Sequence, residues 1–248
     1  MIAEIQHPSG KIKTDLSKPI DISLPLEAGE GKVSAWYVPP VKMEPVRNGS
    51  WVGSVKEGGS VNFRDIYFNP HGHGTHTECV GHITAEWYSV YDSLKTFFFL
   101  AKLITITPEE INGDHVITRN QLEKLFTDDG YEALVIRTLP NDTSKKTRAY
   151  SNTNPPYIHV DAMKFIREKN ILHLLTDLPS VDKENDEGKL LAHHAFWNYP
   201  EKPLTAATIT EFIYVPDTIP DGKYLLNLQT APFVNDATPS RPVLFAIL

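Results

Sequence analysis

The alternation of apolar and polar positions predicts a chain built mainly from short strands. Some segments alternate with a period of two, which is typical of half-buried strands, and others are continuous apolar runs, which are typical of buried ones. Prolines are spaced through the first third and the last quarter and indicate firm turns between these elements. The segments predicted as strands are residues 19–26, 60–68, 102–106, 133–136, 171–175, 223–229 and 242–248.

Two further segments have the spacing of amphipathic helices. In the first, Thr118 and Gln121 have the spacing of a capping box, and an apolar face follows. In the second, Asp161 precedes the helix. Two helices among this many strands predict a mixed α/β fold with a large β component, within a single domain of residues 1–248. The side chains expected on the apolar faces are Leu122, Leu125, Phe126, Met163, Phe165 and Ile166.

Composition narrows the classes of function. The chain has 248 residues, a formal net charge of -7 and 22% charged residues. That sign argues against a nucleic-acid partner and gives no reason to expect binding to an anionic membrane. The single cysteine, Cys79, excludes an intrachain disulfide framework. No apolar run is long enough to span a bilayer, so we expect a cytoplasmic protein that acts on a small molecule.

A cluster of histidines carries the strongest chemical signal. His71, His73, His76 and His82 fall within twelve residues, and Glu78 lies among them. Imidazole nitrogen and carboxylate oxygen together suit zinc, manganese or iron(II). If the chain is extended here, residues 76 and 78 project to the same side and can share a metal. His82 either is a further metal ligand or lies outside the set of ligands as an acid–base group.

A second group supplies candidates for further ligands. His193 and His194 are adjacent, and Glu211 follows. The histidines could equally cap an element, and Glu211 could be a solvated side chain. A third interpretation of the whole region is a thiol hydrolase that uses Cys79, although a lone cysteine is more often a small buried apolar residue.

These residues resemble the signature of the cyclase family of metal-dependent hydrolases, which includes bacterial kynurenine formamidase and isatin hydrolase. The signature runs His-x-Gly-Thr/Ala-His-x-Asp-x-Pro-x-His, and residues 74–78 with His82 follow its spacing. Segments 21–26, 177–182, 221–224 and 239–242 resemble other family segments. The resemblance therefore covers most of the chain and implies a swivelling β/β/α fold.

The resemblance also implies roles for individual residues. His76 would bind metal, Glu78 would replace a bridging aspartate, and Glu211 would be the later carboxylate ligand. His193 would be the later histidine ligand, with His194 as its competitor, and His82 would be the catalytic acid–base residue. The family further implies one or two zinc or manganese ions and a homodimer or homotetramer.

Three positions depart from the signature. The first histidine of the signature aligns with Gly72, so the ligand is expected at His71 or His73, and His71 is preferred. Glutamate replaces aspartate at position 78, which adds a methylene, and Val80 stands in place of proline.

The resemblance implies hydrolysis of a small amide or cyclic carbonyl compound, with N-formylkynurenine as the leading substrate. Isatin-like lactams and other cyclic amides are alternatives, as is a non-catalytic metal-binding protein on the same fold. Trp36, Tyr37 and Phe68 could line an aromatic pocket, but we favour core positions for them.

Overall fold

A computed structural model describes residues 1–126 and 130–248. Within these ranges the chain forms eighteen strands, most of them short. In chain order they are β1 (Ile2–His7), β2 (Gly10–Asp15), β3 (Ile20–Asp21), β4 (Lys42–Pro45), β5 (Arg47–Asn48), β6 (Trp51–Val52), β7 (Arg64–Tyr67), β8 (His76–Glu78), β9 (Phe98–Ile106), β10 (Glu109–Ile111), β11 (Asp114–Ile117), β12 (Ala133–Thr138), β13 (Tyr157–Ile158), β14 (His173–Thr176), β15 (Thr208–Glu211), β16 (Gly222–Asn227), β17 (Ala237–Pro239) and β18 (Val243–Ala246).

Four α-helices and three short 3₁₀ helices complete the secondary structure of the described residues. The α-helices are α1 (Val90–Ser93), α2 (Arg119–Leu125), α3 (Val160–Glu168) and α4 (Leu191–Trp197). The 3₁₀ helices are Val55–Glu57, Val80–Ile83 and Thr143–Lys146. None of the helices in the described ranges has the length and apolar character needed to cross a membrane.

Nine of the strands form one mixed sheet, in the order β17-β8-β15-β14-β12-β9-β16-β18-β3. Its four central strands, from β15 to β9, are mutually parallel. The strands on either side, β8 and β16, run antiparallel to them. The mixed, strand-rich α/β class predicted from the sequence is therefore confirmed, whereas the single domain of residues 1–248 stays a prediction.

The central strand β12 shows how the core is divided. All six of its residues are buried, as expected for a parallel strand covered on both faces. Leu134 and Ile136 pack with the side chains of α2, α3 and α4 on one face. Ala133 and Val135 pack on the other face with residues of β9, β16 and β18. The side-chain period of two thus assigns alternate residues of one strand to two separate hydrophobic layers.

The helix predictions hold in part. Thr118 and Gln121 form the predicted capping box of α2, and Leu122 is fully buried. Leu125 was also expected in the core, but it is 42% exposed, whereas Phe126, just beyond the helix, is buried beside Tyr131 as predicted. In α3, Met163, Phe165 and Ile166 are buried as predicted. Asp161 lies within α3 rather than before it, since His159 is the N-cap residue and accepts a hydrogen bond from the Asp161 N–H.

Two predicted strands are shorter than expected. Of residues 19–26, only β3 pairs in the sheet, and Leu24 beyond it donates its N–H to the Thr75 hydroxyl instead. Of residues 60–68, only β7 pairs, and all four of its residues are exposed. Pro19 and Pro25 lie within the first segment and Pro70 follows the second, and a proline cannot donate a ladder hydrogen bond.

Candidate metal centre

The site is built around β8, between β15 and β17. Glu211 lies opposite His76 in the β8–β15 pair, and Ala237 lies opposite Glu78 in the β8–β17 pair. His76 and Glu78 share a face of β8, and Thr77 projects to the opposite face, where its hydroxyl meets that of Thr210 at 2.8 Å. This edge is formed by the carboxyl ends of β14 and β15, where open α/β sheets commonly bind ligands.

The Glu78 carboxylate is the centre of the cluster. Its side chain is 1% exposed, with Oε2 at 3.1 Å from His71 Nδ1 and Oε1 at 3.2 Å from His193 Nε2. Burial opposes ionisation of this group, but the charge of His82 and the hydrogen bonds of His193 and His71 hold the pKa of Glu78 well below its usual value. Glu78 is therefore a buried carboxylate with an imidazole facing each oxygen.

His76 and Glu211 form the deepest pair. His76 is completely buried, and its Nε2 lies 3.4 Å from Glu211 Oε2. The other ring nitrogen, Nδ1, donates to the Gly74 carbonyl at 3.2 Å. That hydrogen bond leaves the lone pair on Nε2, the atom that faces the cluster. Glu211 Oε1 accepts the Val181 N–H at 3.0 Å, so one oxygen is fixed by the backbone while the other faces His76.

Two other histidines are each held by a carboxylate behind the ring. His71 Nε2 lies 2.8 Å from Asp236 Oδ2, and His193 Nδ1 lies 2.6 Å from Asp182 Oδ2. Burial disfavours both imidazolium ions, yet hydrogen bonds to these aspartates and to Glu78 raise the pKa of His71 and of His193 to about 10. A carboxylate behind a histidine is the arrangement that orients metal-binding imidazoles in proteins.

His82 lies at the rim of the cluster, on the 3₁₀ helix Val80–Ile83. Its ring stacks on that of His71, with centroids 4.1 Å apart. Its Nε2 is 3.9 Å from Glu78 Oε2, and its side chain is 30% exposed. His82 is therefore close to the buried ligand candidates, but its side chain is exposed enough to contact a bound molecule.

The donor set fits a divalent cation. Among the described residues, His76 Nε2 and Glu78 Oε2 are buried atoms without a hydrogen bond of good geometry. Such atoms are rare because an unsatisfied buried polar group costs about 1–3 kcal/mol. His71, His76 and Glu78 offer ligand atoms within 4.8 Å of one another, as do Glu78, His82 and His193. A cation would satisfy these atoms and offset the buried negative charge of Glu78.

The structure separates the alternatives that the sequence left open. His73 lies outside the cluster, since its ring nitrogens meet the Asn69 N–H and the Pro39 carbonyl, each at 3.0 Å. His194 also lies outside, with Nδ1 at 3.2 Å from the Tyr199 carbonyl. Cys79 is fully buried, and burial raises the pKa of its thiol to about 11, so it is unsuited to act as a nucleophile. His71, His76, Glu78, His82, His193 and Glu211 are the predicted residues that the fold brings together.

Sequence reasoning missed the two aspartates behind the histidines. Asp182 closes the segment 177–182, which carried the family resemblance, so a signal for it was present. Asp236 follows β8 by more than 150 residues, and no motif links the two. Only the pairing of β17 with β8 places it beside His71.

A cavity of about 410 Å³ opens onto the cluster. His71, His82 and His193 line it, together with Trp36 and Lys183. Of the three aromatic residues expected in the core, Trp36 is only partly buried and lines this cavity. Tyr37 is 67% exposed, and both its own backbone and that of Trp36 adopt left-handed conformations. Phe68 lines a different cavity beside His73.

Comparison with known proteins agrees with this architecture. Residues 15–183 match the family model Cyclase, described as "Putative cyclase". The chain belongs to this family. It is 30% identical to the kynurenine formamidase of Bacillus thuringiensis (strain Al Hakam) over 230 residues, which cover 91% of this chain and 96% of that protein.

Solved structures of the cyclase-family fold are also similar. A protein from Bacillus stearothermophilus, described as a "predicted metal-dependent hydrolase", superposes with a TM-score of 0.65 at 19% identity, covering 92% of this chain and 98% of that one. Isatin hydrolase A from Labrenzia aggregata gives a TM-score of 0.65 at 15% identity, covering 93% and 94%. At these identities the likeness concerns the fold.

Proposed function

We propose that this chain is a metal-dependent amide hydrolase that converts N-formylkynurenine to kynurenine and formate. The observation that carries the proposal is the buried cluster of imidazoles around Glu78, in which His76 Nε2 and Glu78 Oε2 form no hydrogen bond of good geometry with the described residues. The 30% identity to a kynurenine formamidase, over nearly the full length of both chains, supports the choice of substrate.

The proposed ligands are His71, His76, Glu78, His193 and Glu211. One or two zinc or manganese ions suit this mixture of nitrogen and oxygen donors. When bound, such a cation supplies Lewis-acid chemistry, lowering the pKa of water toward neutrality and polarising a carbonyl. Gly74, Asp182 and Asp236 accept hydrogen bonds from the far sides of His76, His193 and His71, so the rings face the cluster before any ion binds.

His82 is the proposed acid–base residue. Water adds to the formyl carbon, the bond from that carbon to nitrogen breaks, and the nitrogen leaves as the arylamine with a proton. His82 accepts a proton from the attacking water and returns one to the leaving nitrogen. Its Nε2 faces Glu78 at 3.9 Å and its ring is partly exposed to the cavity, so it can reach both the cluster and a substrate.

The cavity suits an aromatic amide. Its volume of about 410 Å³ lies within the range of small-molecule sites, and Trp36 contributes an aromatic ring to its lining. Glu184 also lines the cavity, and its Oε1 lies 3.2 Å from the hydroxyl of the exposed Tyr37. The homodimeric or homotetrameric state and the cytoplasmic location remain predictions.

The test is hydrolysis by protein stripped of metal and reloaded separately with zinc and manganese. We expect turnover of N-formylkynurenine that is lost on chelation, restored by one of the two ions and insensitive to thiol alkylation, because Cys79 is buried. Isatin serves as the parallel substrate. Cleavage of isatin but not of N-formylkynurenine would replace the substrate assignment, and failure to cleave either with metal bound would contradict the proposed activity.

A further inference from the structure

Asp236 is fixed next to the cluster by the backbone of β8. The Cys79 N–H donates to the Asp236 carbonyl at 3.0 Å, one position beyond the register pair of Ala237 with Glu78. On its other side, the Val90 N–H donates to the carbonyl of Asn235 at 2.9 Å. The backbone that carries the Asp236 side chain is therefore held by hydrogen bonds at residues 235 and 236.

One oxygen of this carboxylate faces two histidines. Asp236 Oδ2 lies 2.8 Å from His71 Nε2 and 3.6 Å from His82 Nδ1. The two rings stack, with an interplanar angle of 29°, so their edges present these nitrogens side by side. The longer distance exceeds a hydrogen bond, but contacts of catalytic histidines are often long before substrate binds and tighten in the complex.

In both rings, the nitrogen that does not face Asp236 faces the Glu78 carboxylate. His71 Nδ1 faces Glu78 at 3.1 Å, and His82 Nε2 faces the same carboxylate at 3.9 Å. A neutral imidazole carries one proton, and the nitrogen that donates a hydrogen bond leaves the lone pair on the other. An acceptor at Asp236 thus favours lone pairs on the two nitrogens that face the cluster.

We infer that Asp236 is a positioning residue that fixes the tautomers of both His71 and His82. With metal bound, it keeps the one remaining proton of His71 on Nε2, so that Nδ1 is the ligand atom. It also holds the proton of His82 on Nδ1, which leaves Nε2 free to accept a proton from water. The inference rests on the proposed function for the role of His82, but the tautomer of each ring can be measured without turnover.

Asp236→Asn is the informative variant, because it keeps the shape and places an amide donor where an acceptor stood. In the serine-hydrolase triad, the equivalent change favours the wrong histidine tautomer and lowers kcat by about 10⁴-fold. For Asp236→Asn with metal bound we expect kcat to fall by at least about 100-fold with little change in KM. Asp65→Asn is the matched control, since Asp65 is an exposed carboxylate on β7.

Two measurements test the inference. Long-range 1H–15N spectra of histidine-labelled protein, metal-free and zinc-loaded, identify the protonated nitrogen of each ring, and His71→Ala and His82→Ala spectra assign the signals. We expect His82 to carry its proton on Nδ1 in the parent and to lose that preference in Asp236→Asn. A double-mutant cycle on kcat then asks whether Asp236→Asn has a smaller effect in His82→Ala than in the parent. We expect the two losses to be less than additive because Asp236 and His82 act together, and any loss that remains in His82→Ala arises through His71.

The outcomes separate the inference from the proposed function. A parent protein that holds His82 as the Nε2–H tautomer, or an Asp236→Asn variant with unchanged tautomers and kcat, would overturn the inference while leaving the hydrolase standing. Fully additive losses in the cycle would overturn the assignment for His82, because Asp236 would then act independently of that residue. If the parent turns over no amide, the proposed function fails, and the spectra alone decide whether Asp236 sets the tautomers.

Discussion

At the scale of single residues, the direction in which each imidazole faces is set by its second nitrogen. The acceptors that orient the rings are the Gly74 carbonyl behind His76 and a carboxylate behind each of His71 and His193. Such outer partners typically contribute about 10–100-fold to metal affinity. The cluster is therefore oriented largely by groups that would not themselves touch the ion.

Glu78→Asp tests whether the extra methylene at this position is needed. In the structure the two oxygens of Glu78 reach His71 and His193 at 3.1 and 3.2 Å. Shortening the side chain withdraws the carboxylate from these partners, so we expect metal affinity to fall by about 10-fold, which corresponds to about 1.4 kcal/mol. Competition with a chelating dye measures this change, and Glu86→Asp, at an exposed position, is the control. Unchanged affinity would show that aspartate reaches the ion equally well.

His82→Ala separates metal binding from proton transfer. Because His82 lies at the rim and five other side chains are the proposed ligands, we expect the variant to retain its metal. Loss of a general acid–base group typically lowers the rate by about 100-fold to 10,000-fold. Metal content and kcat are measured on the same preparation, with His115→Ala, at an exposed site on β11, as the control. Loss of metal together with activity would reassign His82 as a ligand.

At the scale of elements, the turn that precedes β8 packs closely against the loop that carries Trp36. Gly72 accepts the Ala35 N–H at its carbonyl, and a Cβ at Gly72 would lie 2.7 Å from Val38 Cγ2. Gly74 adopts a φ of 64°, in the left-handed region where glycine is favoured. A side chain at position 72 would therefore clash with Val38, and the neighbouring His71 supplies the imidazole that faces Glu78.

Gly72→Ala is expected to destabilise the protein by about 1–3 kcal/mol, the usual cost of inserting a methyl group into a filled space. The clash is with a valine side chain, so Val38→Ala should recover part of the loss in the double variant. Urea unfolding of the two single variants and the double variant measures the coupling. Strictly additive effects would mean that the methyl group is accommodated somewhere other than against Val38.

The elements also show which features the sequence could predict. Strands such as β12 and β14 lie in continuous apolar runs, and their local pattern is sufficient to identify them. The short helix α4 was not predicted. Its first turn is held by Asp182, whose carboxylate accepts the Ala192 and His193 N–H groups, and this contact is not visible in the local sequence. Asp236 could not be predicted at all, since its place depends on long-range strand pairing rather than on spacing along the chain.

At the scale of the whole molecule, the parallel strands supply both the core and the platform of the site. Thr210 and Glu211 end β15 next to the cluster, while the opposite end of β14 begins with another buried histidine. His173 donates or accepts a hydrogen bond with the Thr208 hydroxyl at 2.9 Å and packs on Phe99, with ring centroids 4.0 Å apart. Asp92, Lys95 and Glu132 line the adjoining cavity. Because the His173 ring is buried, its pKa is lowered from 6.5 to about 4.

This shift predicts an acid-sensitive fold. Between pH 6.5 and 4 the unfolded chain binds the proton that folded His173 excludes, so stability is present above this window and is lost as the pH falls through it. From pH 7 to pH 5 the contribution amounts to about 2 kcal/mol of the free energy of unfolding. His173→Gln keeps a hydrogen-bonding group for Thr208 but cannot titrate, so we expect its stability to fall less over this range than that of the parent. Urea unfolding at both pH values gives the difference, and His115→Gln, at an exposed histidine, should behave like the parent. If the parent and His173→Gln lose equal stability, the acid sensitivity arises from the carboxylates and not from this buried ring.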